Sequence, residues 1–289
     1  MKWRRCAAAL ALFISTVGIR LTAQEAAYPG QGAKPAKTSW LKDPITNCAV
    51  WGSHLKGDNL ISWSGDCRDG KATGTGVLSW INDGKLAGRY SGPMVYGKAQ
   101  GLGTIDFWLD NQYLHYEGSF LNSKLDGWGS VRWPDGSHLE GEFKDDAPSG
   151  LVRYKAANGS SYAGEVKNEL ADGQGHQILP DKEEYYGQFR QGKREGEGVL
   201  LLPNGDIFTG SFRNDQPSGT GKLQLASGIV YEGPFVNGLP AGEGKVLTPD
   251  GDTGRGQFVN GYPEGKLAFT RKDGSTFDQY WSNGKQVVK

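Results

Sequence analysis

Cysteine, methionine and histidine are scarce, at 3, 2 and 4 in 289 residues. So few thiols and imidazoles leave little material for a zinc cluster, and no C-x-x-C is present for a redox-active pair. No G-x-S-x-G, H-E-x-x-H or P-loop is present, so the familiar nucleophile, metalloprotease and phosphate-cradle signatures are missing. No catalytic residues, metal ligands or cofactor are assigned, and the reading is non-enzymatic. Charge of one sign is lacking too, with 32 basic and 32 acidic residues. Neither a helical period sustained for about ten residues after position 24 nor an apolar run of the ~20 residues a spanning helix needs can be found.

The N-terminus reads as a secretory signal over residues 1–23. Lys2, Arg4 and Arg5 precede an uncharged run from Cys6 to Ile19, and Ala23 offers a small residue for cleavage. Removing it takes four bases and no acid, leaving 28 basic against 32 acidic residues. A slightly acidic chain with interspersed charges is not built for nucleic acid. The expected compartment is periplasmic or extracellular. Residues 24–47, with Pro29, Gly30, Gly32, Pro35 and Pro44, read as a linker, and 48–62 as an N-terminal cap. Cys48 and Cys67 remain after cleavage, and two cysteines in an exported chain most simply pair.

What the chain does have is a period. Stepping 23 residues from Tyr116 reaches Leu139, Tyr162, Tyr185, Phe208, Tyr231, Gly254 and Phe277. Two places on is a glycine in each unit: Gly118, Gly141, Gly164, Gly187, Gly210, Gly233 and Gly256. Two further is an apolar residue, usually Phe: Phe120, Phe143, Val166, Phe189, Phe212, Phe235, Phe258 and Trp281. A period in the range of about 20–50 residues marks an array of stacked units.

Within 185–207, Tyr185, Gly187 and Phe189 alternate with Tyr186, Gln188 and Arg190, as in a strand with two different faces. A second strand carries Gly196, Gly198, Leu200 and Leu202, and Pro203-Asn204-Gly205 turns back. Asn237-Gly238 and Asn260-Gly261 are tight-hairpin signals, because both residue types accept positive φ. Each unit is therefore a hairpin that needs neighbours to be stable. Trp63, Tyr90 and Tyr116 are spaced more widely, and the extra residues are expected in longer hairpin loops around 82–84 and 110–112.

The pattern Y-x-G-x-F, G-x-G, then D/N-G resembles the MORN repeat, best kept at 116–138, 185–207, 208–230 and 231–253. Cys48 to Leu78 is similar to the start of exported bacterial proteins of that type. Leu139, Gly254, Gln279, Val152, Leu267 and Lys182 depart from the pattern. The resemblance implies an all-β, elongated single antiparallel sheet of stacked hairpins over 63–281, with a tail at 282–289. It also implies dimerisation, scaffolding or phospholipid association.

Two surfaces are candidates. The ring ladder Tyr116, Tyr162, Tyr185, Phe208 and Tyr231 either packs on itself as core or lines an open groove. An open groove would expose more than the few hundred Å² usual for a monomer and would take a protein partner or a second copy. On the other face Arg68, Lys144, Lys167, Arg190 and Arg213 form a basic row. It is either a solvated face of ion pairs or a peripheral contact for anionic lipid or polysaccharide. His115 and His138, 23 residues apart, are expected close together.

Overall fold

The computed structural model describes residues 38–53, 60–109 and 112–287. The predicted leader and the start of the linker lie outside these residues. The described chain is all-β, with 25 strands and no helix among the described residues. It divides into two compact units at 170/171.

In the N-terminal unit, successive strands pair antiparallel as neighbours in sequence. Gly101–Leu109, Gln112–Leu121, Lys124–Arg132, His138–Lys144, Ala147–Lys155 and Ser161–Lys167 follow one another across the sheet. The C-terminal unit repeats the plan, from Leu170–Ile178 and Glu184–Arg190 to Thr276–Ser282 and Lys285–Val287. Within the expected tail, Lys285–Val287 is a strand paired with Thr276–Ser282.

The lengthened first units also depart from expectation. Lys71–Asn82 pairs with Lys85–Val95 as far as Asn82↔Lys85, around a tight Asp83-Gly84 turn with φ of 50° and 72°. The extra residues lengthen the strands instead of the loop, because an Asp-Gly pair can make the two-residue turn that matches strand twist. The predicted Asn-Gly turns have the same geometry, with φ of 51° and 82° at Asn237-Gly238.

The linker ends earlier than its composition suggests. Thr38–Lys42 is a strand paired with Ala49–Ser53, so the cap begins at 38. A disulfide joins Cys48 to Cys67. Leu41, Cys48 and Val50 pack into the same core as Trp63, Leu78 and Tyr90. The cap is also hydrogen-bonded to the array, Ala49 N–H donating to Gly70 O and Trp51 N–H to Gly97 O. Asp43 is buried in it. Burial raises its carboxyl pKa, but hydrogen bonds from the Trp63, Ile45 and Thr46 N–H groups prevail and hold it below the usual range.

The core of each hairpin follows from how its first ring lies. Tyr185 lies down over Gly187 on its own strand and Gly198 on the next; a Cβ added at Gly187 would sit 2.5 Å from the hydroxyl, and one at Gly198 2.5 Å from the ring. Its hydroxyl donates to Gln188 O at 3.0 Å. Tyr90, Tyr116, Tyr162 and Tyr231 likewise each donate to the carbonyl three residues on. Tyr116, Tyr185, Phe208 and Tyr231 each then meet two phenylalanines edge-on. For Tyr185 these are Phe189 at 5.1 Å and Phe212 of the next unit at 4.9 Å; for Phe208 they are Phe212 at 5.2 Å and Phe235 at 4.8 Å. Edge-to-face geometry at these separations is the favourable one. The first glycine of each G-x-G makes the bulge that lets the second strand pass the ring; Gly196 has φ of 71°.

Gly198→Ala should therefore cost about 1–3 kcal/mol by overpacking against the Tyr185 ring. Gly52→Ala, whose added methyl meets only Leu41 Cδ1 at 3.8 Å, should change stability little. Urea unfolding of the two variants checks this; equal costs would remove the ring–glycine contact as the organising feature.

Candidate functional site: the two faces of the sheet

The structure decides between the two readings of the ring ladder. Tyr116, Tyr162, Tyr185, Phe208 and Tyr231 are core, none more than 4% exposed. The open aromatic groove is corrected: these five rings do not face water, because Tyr116, Tyr185, Phe208 and Tyr231 tip onto glycines and meet two phenylalanines each, and Tyr162 is buried as they are. Burial raises the phenol pKa of Tyr90, Tyr116 and Tyr231 to about 12, and pushes Tyr185 up as well.

The basic row divides between the units, with Arg68, Lys144 and Lys167 in one and Arg190 and Arg213 in the other. Each is the last residue of its strand, at the hairpin turn. Lys144 Nζ donates to Asp126 at 2.8 Å, and the neighbouring Lys124 donates to Asp145 at 2.7 Å. Acids Asp69, Asp145, Glu169 and Asp215 follow Arg68, Lys144, Lys167 and Arg213 within two residues. The row is therefore an edge of interleaved charge.

His115 and His138 are not neighbours. Arg132 lies between them, opposite His115 on one side and His138 on the other. A hairpin repeat returns to the same place two strands later, so a guanidinium separates the imidazoles. His115 Nδ1 is 2.7 Å from Asp106, and His138 Nε2 is 3.0 Å from Ser130 Oγ. No cluster of three or more candidate metal ligands exists among the described residues.

Two features escaped sequence reasoning. The first is a buried polar cluster in the C-terminal unit. Arg194 pairs with Glu183 at 2.8 Å, donates to Gln177 Oε1, and lies 4.9 Å from the Tyr185 ring centroid. Arg194 and Glu183 are both sealed from water. Glu183 lies beside a turn, yet its carboxylate is turned into this cluster. A signal was present: other units have Leu200 or Leu223 where Gln177 stands, and Ala171 or Pro217 where Arg194 stands. These two departures pair with Glu183, whose place holds Asp206 and Asp252 in later units, to form one group.

The second feature is on the outward face. The middle residue of each G-x-G points outward, and along the C-terminal unit it is polar: Gln174, Glu197, Thr220, Glu243 and Lys266. In three successive hairpins of the N-terminal unit it is Leu102, Trp128 and Leu151, exposed by 75, 59 and 60%. Between them across the sheet stand Ser119 and Glu142, with Glu165 beyond. The next row down holds Thr104, Glu117, Ser130, Glu140 and Arg153.

The family comparison fits this architecture. The MORN repeat matches residues 63–85, 116–138, 140–161, 185–207, 208–230, 231–253 and 255–276, more than half of the chain. The chain belongs to the MORN-repeat family. The strands Lys85–Val95 and Gly101–Leu109 pair as the matched units do, and Leu170–Ile178 pairs with Glu184–Arg190, although 90–115 and 162–184 lie outside the matches. In 162–184 the cause is visible, since Lys182 stands with φ of 75° where MORN units have glycine.

Compared with curated protein sequences, the chain has no significant match. Among solved structures it is similar to the TCP domain of Drosophila melanogaster SAS-4 (dCPAP), in complex with a proline-rich motif of Ana2 (dSTIL). That match has 13% identity and a TM-score of 0.36 over 53% of this chain and 83% of that one. The TCP10 domain of Danio rerio CPAP with a STIL peptide matches at 13% identity and TM-score 0.40, covering 79% and 97%. A streptogramin B lyase matches at 8% identity and TM-score 0.16, covering 85% and 83%. No functional assignment follows from likeness at this level.

Two predictions test the buried groups. The phenols ionise about two units later in the fold than their usual ~10, so the fold favours the protonated form. That stability is complete below pH ~10 and drains away as pH rises toward 12. The melting temperature should fall steeply across this window and less so in Tyr116→Phe; a flat profile would contradict the ring burial. In urea unfolding, Arg194→Leu alone should cost about 3–5 kcal/mol by stranding Glu183. The triple change Arg194→Leu, Glu183→Leu, Gln177→Leu should recover most of it; additive losses would show that the three residues do not act as a group.

Proposed function

We propose that this MORN-repeat chain is a non-enzymatic, exported binding module that takes a protein partner on the outward face of its N-terminal unit. One observation carries the reading: Leu102, Trp128 and Leu151 are exposed and apolar at a position the hairpin leaves free to be polar. The same place holds Glu197, Thr220 or Lys266 elsewhere in the chain without loss of the fold. A monomer gains nothing by exposing a tryptophan and two leucines in register, whereas an interface gains buried apolar area and an aromatic anchor.

Export is supported by the disulfide, which belongs to an oxidising compartment, together with the predicted leader over 1–23. Of the buried ladder Tyr116, Tyr162, Tyr185, Phe208 and Tyr231, the first two lie in the core of the unit that carries the outer row. The alternative, a lipid or polysaccharide contact through Arg68, Lys144, Lys167, Arg190 and Arg213, is weakened by the acids interleaved with them.

The test is capture on the immobilised mature chain, alongside its solution mass. Trp128→Glu with Leu151→Glu should abolish association that withstands about 0.5 M salt, where surface charge is screened beyond ~4 Å. Association that ignores this double change but is lost with Lys144→Glu and Arg190→Glu would hand the function to the basic edge.

A further inference from the structure

The outer row has a pitch. Strands carrying Leu102, Trp128 and Leu151 alternate with strands carrying Ser119 and Glu142. Two strand spacings of ~4.8 Å put successive apolar residues about 9.6 Å apart. An occupant running across the strands must present apolar groups on one side at that interval. A β-strand repeats its face every ~6.7 Å and falls out of step at once. An α-helix returns after seven residues, about 10.5 Å, and over two intervals is about 2 Å too long. A polyproline II segment returns every third residue, about 9.3 Å, and over two intervals stays within about 1 Å.

Charge narrows the occupant further. The two outward rows from Leu102 to Glu165 hold Glu117, Glu140, Glu142 and Glu165 against Arg153. The lysines toward the turns, Lys144 and Lys124, are engaged by Asp126 and Asp145. An apolar row with an aromatic at its centre and carboxylates between and beside its members suits a proline-rich chain with basic ends. Such a segment has little conformational entropy left to lose on docking.

We propose that the row Leu102–Trp128–Leu151 binds a proline-rich polyproline II segment of a partner protein, flanked by arginine or lysine, lying across the strands. Prolines at every third place sit against Leu102, Trp128 and Leu151, and the flanking cations face Glu117, Glu142 and Glu165. This rests on the outward row being the docking surface, and it names the partner's chemistry.

The probe is a fluorescein-labelled oligoproline of about nine residues, long enough for the three contacts, with arginine at each end. Fluorescence anisotropy with the full mature protein should show saturable binding. Trp128→Ala should weaken it about tenfold or more, as loss of a central aromatic anchor does. Glu117→Lys with Glu142→Lys should weaken it by a similar factor, as should glutamate in place of the peptide's terminal arginines. Lys266→Leu, at the equivalent place in the other unit, should leave it unchanged. All these positions face solvent, so melting temperatures should match the wild type.

No binding up to about 1 mM, the weakest affinity worth the name at ~4 kcal/mol, would overturn the proposal. Binding indifferent to Trp128→Ala would do the same. If captured proteins depend on Trp128 and Leu151 but the oligoproline neither binds nor competes, the polyproline assignment fails and the docking surface stands. If the row variants change nothing in either assay, both fail.

Discussion

An aromatic ring lying flat on two glycines holds this protein together. A hairpin is two strands with little to bury between them. Tyr185 solves that by covering Gly187 and Gly198, where any side chain would collide with it. Its hydroxyl is satisfied by Gln188 O, so the buried polar atom costs little. Phe189 and Phe212 then enclose it from either side, and Phe212 does the same for Phe208. Phe212 is thus shared between two hairpins, and sharing of this kind is how a repeat array couples each unit to its neighbour.

That arrangement leaves one side of the sheet free. The inner side is committed to rings, glycines and small residues. The outer side has no structural duty beyond solubility and strand pairing, and it carries ion pairs such as Lys266–Asp278 and Lys222–Glu232. Departures from that blandness carry information. Leu102, Trp128 and Leu151 are departures of this kind, and their period is that of the hairpin itself. Arg194 and Gln177 are departures on the inner side, where the low dielectric makes them and Glu183 depend on one another.

Much of this was legible before any coordinates. The 23-residue step, the Asn-Gly turns and the alternation in 185–207 carried the hairpin, its repetition and the MORN resemblance. Cys48 and Cys67 carried the disulfide and the cap. Less legible were matters of length and register. The extra residues before Tyr90 extend a ladder because Asp83-Gly84 can turn within two residues. His115 and His138 are separated by Arg132 because equivalent places in successive hairpins are two strands apart.

The order of residues alone determined the repeat, the strand faces and the pairing of cysteines, because these depend on local conformational preference and period. Whether the rings are sealed or exposed was a tertiary decision. It depends on the angle at which each ring tips over its glycines and on how closely the next hairpin's Phe approaches. The same is true of the outer row: a Leu, a Trp and a Leu lie far apart in the chain, and only strand pairing at a fixed spacing makes them a surface.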